Sequence, residues 1–257
     1  MLRSFLGVAG VSGLLAFAPL SAAGAADMPV KAPPPPPAPV ANWTGCYLNV
    51  GVGYGLLDDE RGVRDPDPIR PNSTSAAKGW LGAFGGGCDY QFSSGGPWGP
   101  IVIGAFADYD LMNITGSYGD PSSSGQSGTQ TLTDAVYVGA RAGVLVTPGL
   151  LAYIDGGWTG GRINAIPLAP LGGCGGTCFD TLPAVNTSGG FIGGGYEYAL
   201  PWLFNGLYWR TEYRYAFYEN FDQHYIHPTF IGSRIVSNSV DVQTITSSLV
   251  WRFNWMH

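Results

Sequence analysis

From Trp43 onward, apolar residues alternate with glycine or polar residues at a period of two, which is typical of β-strands. In the segment 45–55, GCYLNVGVGYG, the even positions hold Cys, Leu, Val, Val and Tyr, and most odd positions hold Gly. Seven more segments show the alternation, namely 80–92, 101–111, 132–146, 150–160, 189–200, 207–217 and 244–253. It is blurred in 150–160 and changes phase at Val240 and Val242, where we expect a bulge or a late strand start.

The connections between these segments alternate in length. Long connections rich in Gly, Asp and Ser lie at 56–78, 114–130, 161–186 and 219–239, and short ones lie at 93–100, 147–149 and 201–206. Bacterial outer-membrane barrels combine an even number of antiparallel strands with short turns at one end and long loops at the other. The predicted fold is therefore an all-β, eight-stranded, antiparallel up-and-down transmembrane β-barrel in residues 43–257, with long external loops.

Aromatic residues are sorted toward the two ends of the predicted strands. The expected membrane-interface aromatics are Trp43, Trp209, Trp251 and Phe253 at the periplasmic rim and Tyr54, Trp80 and Trp158 at the outer rim. Two aromatic girdles at different heights are favoured by the two membrane interfaces. We therefore expect the apolar parity, with Val50, Phe84, Val138 and Tyr213, to face lipid. The Gly-rich parity would then face a narrow interior.

The N-terminal region predicts export. Arg3 precedes an apolar stretch that ends in small residues at 23–25, so residues 1–25 are interpreted as a signal peptide, with cleavage after Ala25 or Ala26. Residues 26–42 contain five consecutive prolines, which cannot join a helix or a sheet, and are predicted to form a periplasmic linker. We expect the mature protein in the outer membrane, with the linker as a candidate contact to peptidoglycan.

Composition narrows the choice of partners. Only 12% of the residues are charged and 13% are aromatic, which argues against disorder. The net charge of −6 and the scattered Lys and Arg residues give no indication of a nucleic-acid partner. The expected partners are outer-membrane lipid, lipopolysaccharide and the barrel-insertion machinery. No cofactor is expected.

The four cysteines predict two disulfides. The register that opposes Tyr54 to Trp80 also opposes two cysteines on the outward face, within reach of a disulfide. The expected bonds are Cys46–Cys88 and, within the sequence CGGTC, Cys174–Cys178. An exported chain with an even number of cysteines favours oxidation. A metal site is the alternative, but no histidine lies near either pair in the sequence.

Nine charged residues fall on the Gly-rich parity and are expected to form a charge network in the lumen. They are Asp89, Asp108, Asp110, Arg141, Glu197, Arg210, Glu212, Arg214 and Arg252. Carboxylates and guanidiniums are similar in number, so they can pair with one another. The network is interpreted as a polar plug, because eight strands leave room only for the barrel's own side chains. A path for protons or small ions is the alternative.

Two histidines, His224 and His227, suggest a metal or catalytic site in the last long connection, although Pro228 favours a loop. Asp222 and Ser233 lie nearby in the sequence, so an outer-membrane lipid-modifying enzyme is an alternative. Loops of this composition commonly contain such residues. We assign no catalytic and no metal-binding residue, and we do not expect an enzyme.

Seven motifs occur in order along the chain: AADMPVKAPPPPP (25–37), WTGCYLNVGVGYG (43–55), GWLGAFGGGCDYQF (79–92), GARAGVLV (139–146), GGGYEY (193–198), RTEYRYAF (210–217) and LVWRF (249–253). In these motifs and their spacing the chain resembles the small eight-stranded outer-membrane β-barrels of alphaproteobacteria, often called outer-membrane immunogenic proteins. The resemblance implies a porin-like surface protein that supports envelope integrity, without a catalytic residue. Such barrels end at an aromatic residue that the insertion machinery reads. Here four residues follow Phe253, and Trp255 is a candidate replacement.

The predicted function is a structural role in the envelope or a surface interaction, with at most a narrow pore for small solutes. The alternative from another class is a soluble lipocalin-like calyx that binds an apolar ligand. A calyx would place apolar residues inside and charges outside. The Gly-rich parity contains too little Lys and Glu for a water-facing exterior, which argues against a calyx.

Overall fold

The computed structural model describes residues 42–65, 72–93, 99–119, 126–170, 180–226 and 235–253. Their regular secondary structure is entirely β, and among these residues no helix is long and apolar enough to cross a membrane. The predicted signal peptide and nearly all of the Pro-rich linker lie outside the described residues. So do Cys174, Cys178, His227 and the tail after Phe253.

The described residues form eleven strands, eight long and three short. They are β1 (Gly45–Asp65), β2 (Ser73–Phe92), β3 (Ile101–Gly119), β4 (Gln126–Thr147), β5 (Leu150–Ile163), β6 (Ile166–Pro170), β7 (Asp180–Leu182), β8 (Val185–Ala199), β9 (Leu207–Tyr218), β10 (Phe221–His224) and β11 (Ile235–Phe253).

The eight long strands close into a barrel. Each pairs antiparallel with two neighbours in the order β1-β2-β3-β4-β5-β8-β9-β11, and β11 returns to β1 over its whole length. The short strand β6 pairs with β4 and β7, and β10 pairs with β11, so these three strands add to the connections. The predicted antiparallel up-and-down barrel is confirmed, with three short strands beyond the eight expected.

The two ends of the barrel differ in their connections. At the short-turn end, β4 and β5 are joined by Pro148 and Gly149 alone, and β8 and β9 by residues 200–206. Gly99 and Gly206 at this end have positive φ angles of 77° and 82°, a conformation that glycine adopts without steric cost. The other end carries the longer connections and the three short strands, and we call it the long-connection end.

The long strands run further than the sequence analysis predicts. They continue into all four segments expected to be loops, and β1, for example, ends at Asp65 instead of near residue 55. The alternation continues there, with Leu57, Asp59 and Arg61 buried and Asp58 and Glu60 exposed. The outward residues turn polar where a strand leaves the apolar zone, and this change of composition resembles a loop. We call the strand ends beyond this change the extension.

The bulge or late start expected at Val240 and Val242 is absent from β11. Even-numbered residues stay buried along the whole strand, and its pairing with β1 is regular from Ser237 to Phe253. Val240 and Val242 are fully buried among apolar residues of the barrel interior. The two valines resemble a change of phase because the inward positions closer to the short-turn end are mostly polar.

The apolar parity faces outward, as expected. Val50, Phe84, Val138 and Tyr213 are 63%, 48%, 48% and 47% exposed. On β1 the outward apolar residues run from Leu48 to Leu56, about the nine to eleven residues with which a strand crosses a membrane. We call this apolar zone around the barrel the belt.

Trp43 departs from the prediction that it belongs to an aromatic girdle. It is fully buried at the short-turn end, where its ring packs 4.8 Å from that of Tyr208 and its Nε1 donates to the carbonyl oxygen of Pro148 at 3.3 Å. The girdle assignment considered only the height of Trp43 along the barrel. The residue has the odd parity of Tyr47 and Asn49, which places it inside.

Candidate functional site

The structure brings the nine charged residues of the predicted network together inside the barrel, each at most 6% exposed. They form two clusters at different heights. The first cluster, toward the short-turn end, is centred on Glu197 of β8. Its carboxylate accepts hydrogen bonds from three guanidiniums, those of Arg141 at 3.0 Å, Arg210 at 3.1 Å and Arg252 at 2.8 Å.

Asp89 joins the same cluster from β2. It pairs with Arg141 at 2.5 Å and with Arg252 at 2.7 Å. The ring of Tyr47 lies 4.5 to 5.0 Å from the guanidinium carbons of Arg141, Arg210 and Arg252. Three cations therefore share two carboxylates and an aromatic face, an arrangement that pairs buried charges with one another.

The second cluster, nearer the middle of the belt, is centred on Arg214 of β9. Arg214 pairs with Asp108 at 2.5 Å, with Glu212 at 2.9 Å and with Asp155 at 3.4 Å. The side chain of Asn49 donates to Asp108 at 3.2 Å. Asp155 is not among the nine residues predicted from the sequence, because two bulky inward residues of β5, at positions 151 and 153, blur the alternation there.

Asp110 differs from Asp155, whose oxygens also lack hydrogen-bond partners but which pairs with Arg214. Asp110 is fully buried, and neither oxygen has a hydrogen-bond partner among the described residues. Within the belt, six buried carboxylates face four buried guanidiniums, so the pairing is incomplete on the acidic side. The surplus lies in the second cluster, where Arg214 faces Asp108, Asp110, Asp155 and Glu212.

An apolar layer fills the barrel above the second cluster, toward the long-connection end. Its residues, all at most 1% exposed, are Leu57, Ile114, Leu132, Ile163, Val240 and Val242. They follow one another around the wall, since Leu57 faces Val242, Ile114 faces Leu132, and Leu132 faces Ile163 in the cross-strand pairing. Within the described residues this layer separates the charge clusters from the long-connection end.

A polar cluster in the extension lies beyond the apolar layer. The fully buried Arg61 donates to Asp59 at 2.8 Å and to Gln130 at 2.8 Å, contacts Ser75, and has its guanidinium carbon 3.8 Å from the centre of the Tyr118 ring. Burial raises the pKa of Asp59, while the neighbouring Arg61 acts in the opposite direction. The cluster ties β1 to β2, β3 and β4 outside the belt.

The outward face carries the disulfide and, apart from Trp43, the aromatic residues that the sequence predicts there. Cys46 and Cys88 are directly opposite and form a disulfide with a Cα–Cα distance of 3.9 Å, as the register predicts. The outward tryptophans are 46% to 71% exposed, and Tyr54 and Phe253 are partly exposed. These tryptophans are Trp80, Trp158, Trp209 and Trp251.

The described residues contain no group of three or more His, Cys, Asp or Glu side chains that could hold a metal ion. His224 is exposed on β10, and its expected neighbours His227 and Ser233 lie outside the described residues. The geometry of the described interior therefore shows ion pairing, aromatic packing and apolar filling.

No protein-family model and no curated protein matches the chain. Among solved structures it is similar to the outer membrane protein OprG from Pseudomonas aeruginosa, with a TM-score of 0.51 and 11% identity over 83% of this chain and 98% of that chain. Neisserial surface protein A matches with a TM-score of 0.39, 15% identity and coverages of 82% and 98%. The outer membrane protease OmpT from Escherichia coli matches with a TM-score of 0.41 and 12% identity, over 81% of this chain and 97% of that chain.

The similarity to OprG shows the fold alone. The chain has the fold of an outer-membrane β-barrel. Folds of this kind carry different activities, so the fold does not determine the role of the protein.

Proposed function

We propose that the protein is an integral outer-membrane barrel with a sealed interior, whose role is structural or lies in surface interaction. On this proposal the short-turn end faces the periplasm, and the protein belongs to the small alphaproteobacterial barrel family that it resembles. The observation that carries the proposal is the apolar layer, which fills the barrel where ions would have to pass. A layer of buried aliphatic side chains offers no ligand to replace the hydration shell of an ion.

The outward face supports the membrane location. The belt is apolar, tryptophans lie in its outer wall, and five of the arginines with described side chains point inward. A soluble calyx would require the opposite distribution, with apolar residues inside and charges outside. The closed ring of strands also leaves no unpaired edge in the wall, as a hydrocarbon environment requires.

Planar-bilayer conductance of the refolded protein tests the sealed interior. We expect no steady single-channel current from the wild type or from Arg214→Ala, because the apolar layer remains in both. Ile154→Ala, an outward residue of the belt, is the matched control for handling and insertion. A steady, voltage-independent current through the wild-type barrel would contradict the proposal.

The membrane location has its own test. The mature protein should partition into detergent, and its migration on a gel should depend on heating, as for a closed barrel that resists unfolding. Lipid, lipopolysaccharide and the insertion machinery are the partners that this location implies. Solubility at high concentration without detergent would overturn the membrane assignment.

A further inference from the structure

A groove of about 340 Å³ lies on the outward face where the belt ends toward the long-connection end. It is formed by β4, β5 and β8, and its lining includes Asp134, Val136, Trp158, Arg162, Asn186 and Ser188. It belongs neither to the sealed interior nor to the three short strands. It opens sideways, toward the surrounding lipid if the protein lies in a membrane.

Three cross-strand rows build the groove and order its chemistry by height. The upper row is Asp134, Arg162 and Asn186, the middle row is Val136, Gly160 and Ser188, and the lower row is Val138, Trp158 and Gly190. The rows change from charged and amide groups to an aromatic and an aliphatic side chain within two steps along each strand. This is the order in which a lipid presents its headgroup and its acyl chain.

The local backbone accounts for both the depression and its charge. The register between β4 and β5 shifts at Thr133, so Leu132 points inward while Asp134 points outward. The hydroxyl of Thr133 donates to the carbonyl oxygen of Arg162 at 3.2 Å, which ties the bulge to the groove. A Cβ atom at Gly160 would lie 2.8 Å from the Trp158 ring, so the ring lies directly over the glycine at the floor of the groove.

The charge of the groove is unusual for this barrel. Of the Lys and Arg side chains that the structure describes, Lys78 and Arg162 alone point outward, and Arg162 alone lines this groove. The structure records no ion pair for Arg162 within the described residues. A guanidinium binds phosphate through two parallel hydrogen bonds, and the neighbouring Asn186 can add another donor.

We propose that this groove binds a phosphate-bearing lipid of the outer leaflet, with its phosphate at Arg162 and Asn186 and an acyl chain along Val136 and Trp158. Asp134 lies opposite Arg162 and accepts a hydrogen bond from an amine or hydroxyl of the same headgroup. A free phosphate would gain nothing from the apolar lower row, which is the reason to assign a lipid. The inference rests on the proposed membrane location.

Native mass spectrometry of the refolded full chain in detergent micelles tests the site, with lipid A as the probe. We expect Arg162→Glu and Arg162→Gln to weaken lipid A binding by about tenfold or more, the loss expected for one charge-assisted contact. Lys78→Glu removes the other outward cation and should leave binding unchanged. Gly160→Leu fills the groove and displaces the Trp158 ring, so it should reduce binding while Arg162 is retained.

Three comparisons decide the outcome. Equal binding of dephosphorylated lipid A, or an equal loss in Lys78→Glu and Arg162→Glu, would overturn the proposal, since neither result depends on the phosphate at this groove. Full competition by inorganic phosphate would also overturn it, because a free-anion site would then be present. Heat-dependent gel migration confirms folding of each variant. If the wild type stays soluble without detergent, the proposed membrane location is wrong, and that result is distinct from a failure of the groove to bind lipid A.

Discussion

At the scale of single residues, Glu197 and Asp110 show two opposite ways of burying a carboxylate. Glu197 receives hydrogen bonds from three arginines, and all four residues are buried. Asp110 lies in the same interior with no hydrogen-bond partner among the described residues. Removing Glu197 would leave three buried arginines without their counter-charge, which lowers stability. Removing an unpaired buried charge instead removes the desolvation penalty of that charge.

Glu197→Gln should destabilise the barrel by about 3 kcal/mol or more, because three buried guanidiniums lose their common counter-charge. The measurement is the free energy of unfolding in urea, with the protein folded into lipid vesicles. Glu60→Gln, at an exposed position of the extension, is the control. A change in Glu197→Gln no larger than in Glu60→Gln would show that the hub contributes nothing to stability.

Asp110→Asn should leave the barrel as stable as the wild type or stabilise it by about 1 to 3 kcal/mol, since the amide removes an unpaired charge. Asp108→Asn is the matched comparison on the same strand. It should be destabilising, because Asp108 pairs with Arg214 at 2.5 Å. The same unfolding assay ranks the two variants, and the reverse order would contradict this account of the second cluster.

At the scale of strands, the extension explains what could be predicted from the sequence and what could not. The alternation inside the belt predicts the eight long strands and the pairing of Cys46 with Cys88, because a lipid-facing wall keeps one parity apolar. Beyond the belt the outward residues face water, and the apolar signal disappears although the strands continue. The groove could not be predicted, because it depends on the register shift at Thr133, and a single strand does not reveal its register.

Arg61→Met should loosen the extension and leave the belt intact. The methionine retains part of the packing volume but removes the hydrogen bonds to Asp59 and Gln130. We expect faster proteolysis at the long-connection end and unchanged heat-dependent migration of the remaining barrel. Equal proteolysis rates in Arg61→Met and the wild type would show that the cluster does not hold the extension.

The extension should also respond to pH through Asp59. Burial raises the pKa of this carboxyl, so the folded extension binds the proton more tightly than the unfolded one. Its stability therefore increases as the pH falls and is lost as the pH rises through the pKa of the folded state. Proteolysis of the wild type relative to Asp59→Asn should slow on acidification. An opposite slope would contradict the sign of the pKa change.

At the scale of the whole molecule, the interior is a stack of different layers. Two charge clusters lie within the belt, an apolar layer lies above them, and the cluster around Arg61 lies in the extension. A second apolar cluster, which includes Tyr118, Leu168 and Val236, lies still nearer the long-connection end. The charge clusters and the apolar layers each fill the interior with different side chains. The loss of a single ion pair is therefore not expected to open the barrel to ions.

Arg252 also bears on how the barrel is completed. Its Nη1 donates to the carbonyl oxygen of Trp43, 209 residues earlier, at 3.2 Å, and its Nη2 donates to Glu197. The bond to Trp43 exists only once the final strand has met the first, whereas Glu197 lies on β8. Arg252 therefore fixes the junction between the last strand and the first. A chain truncated before Arg252 would close its barrel without this contact to Trp43.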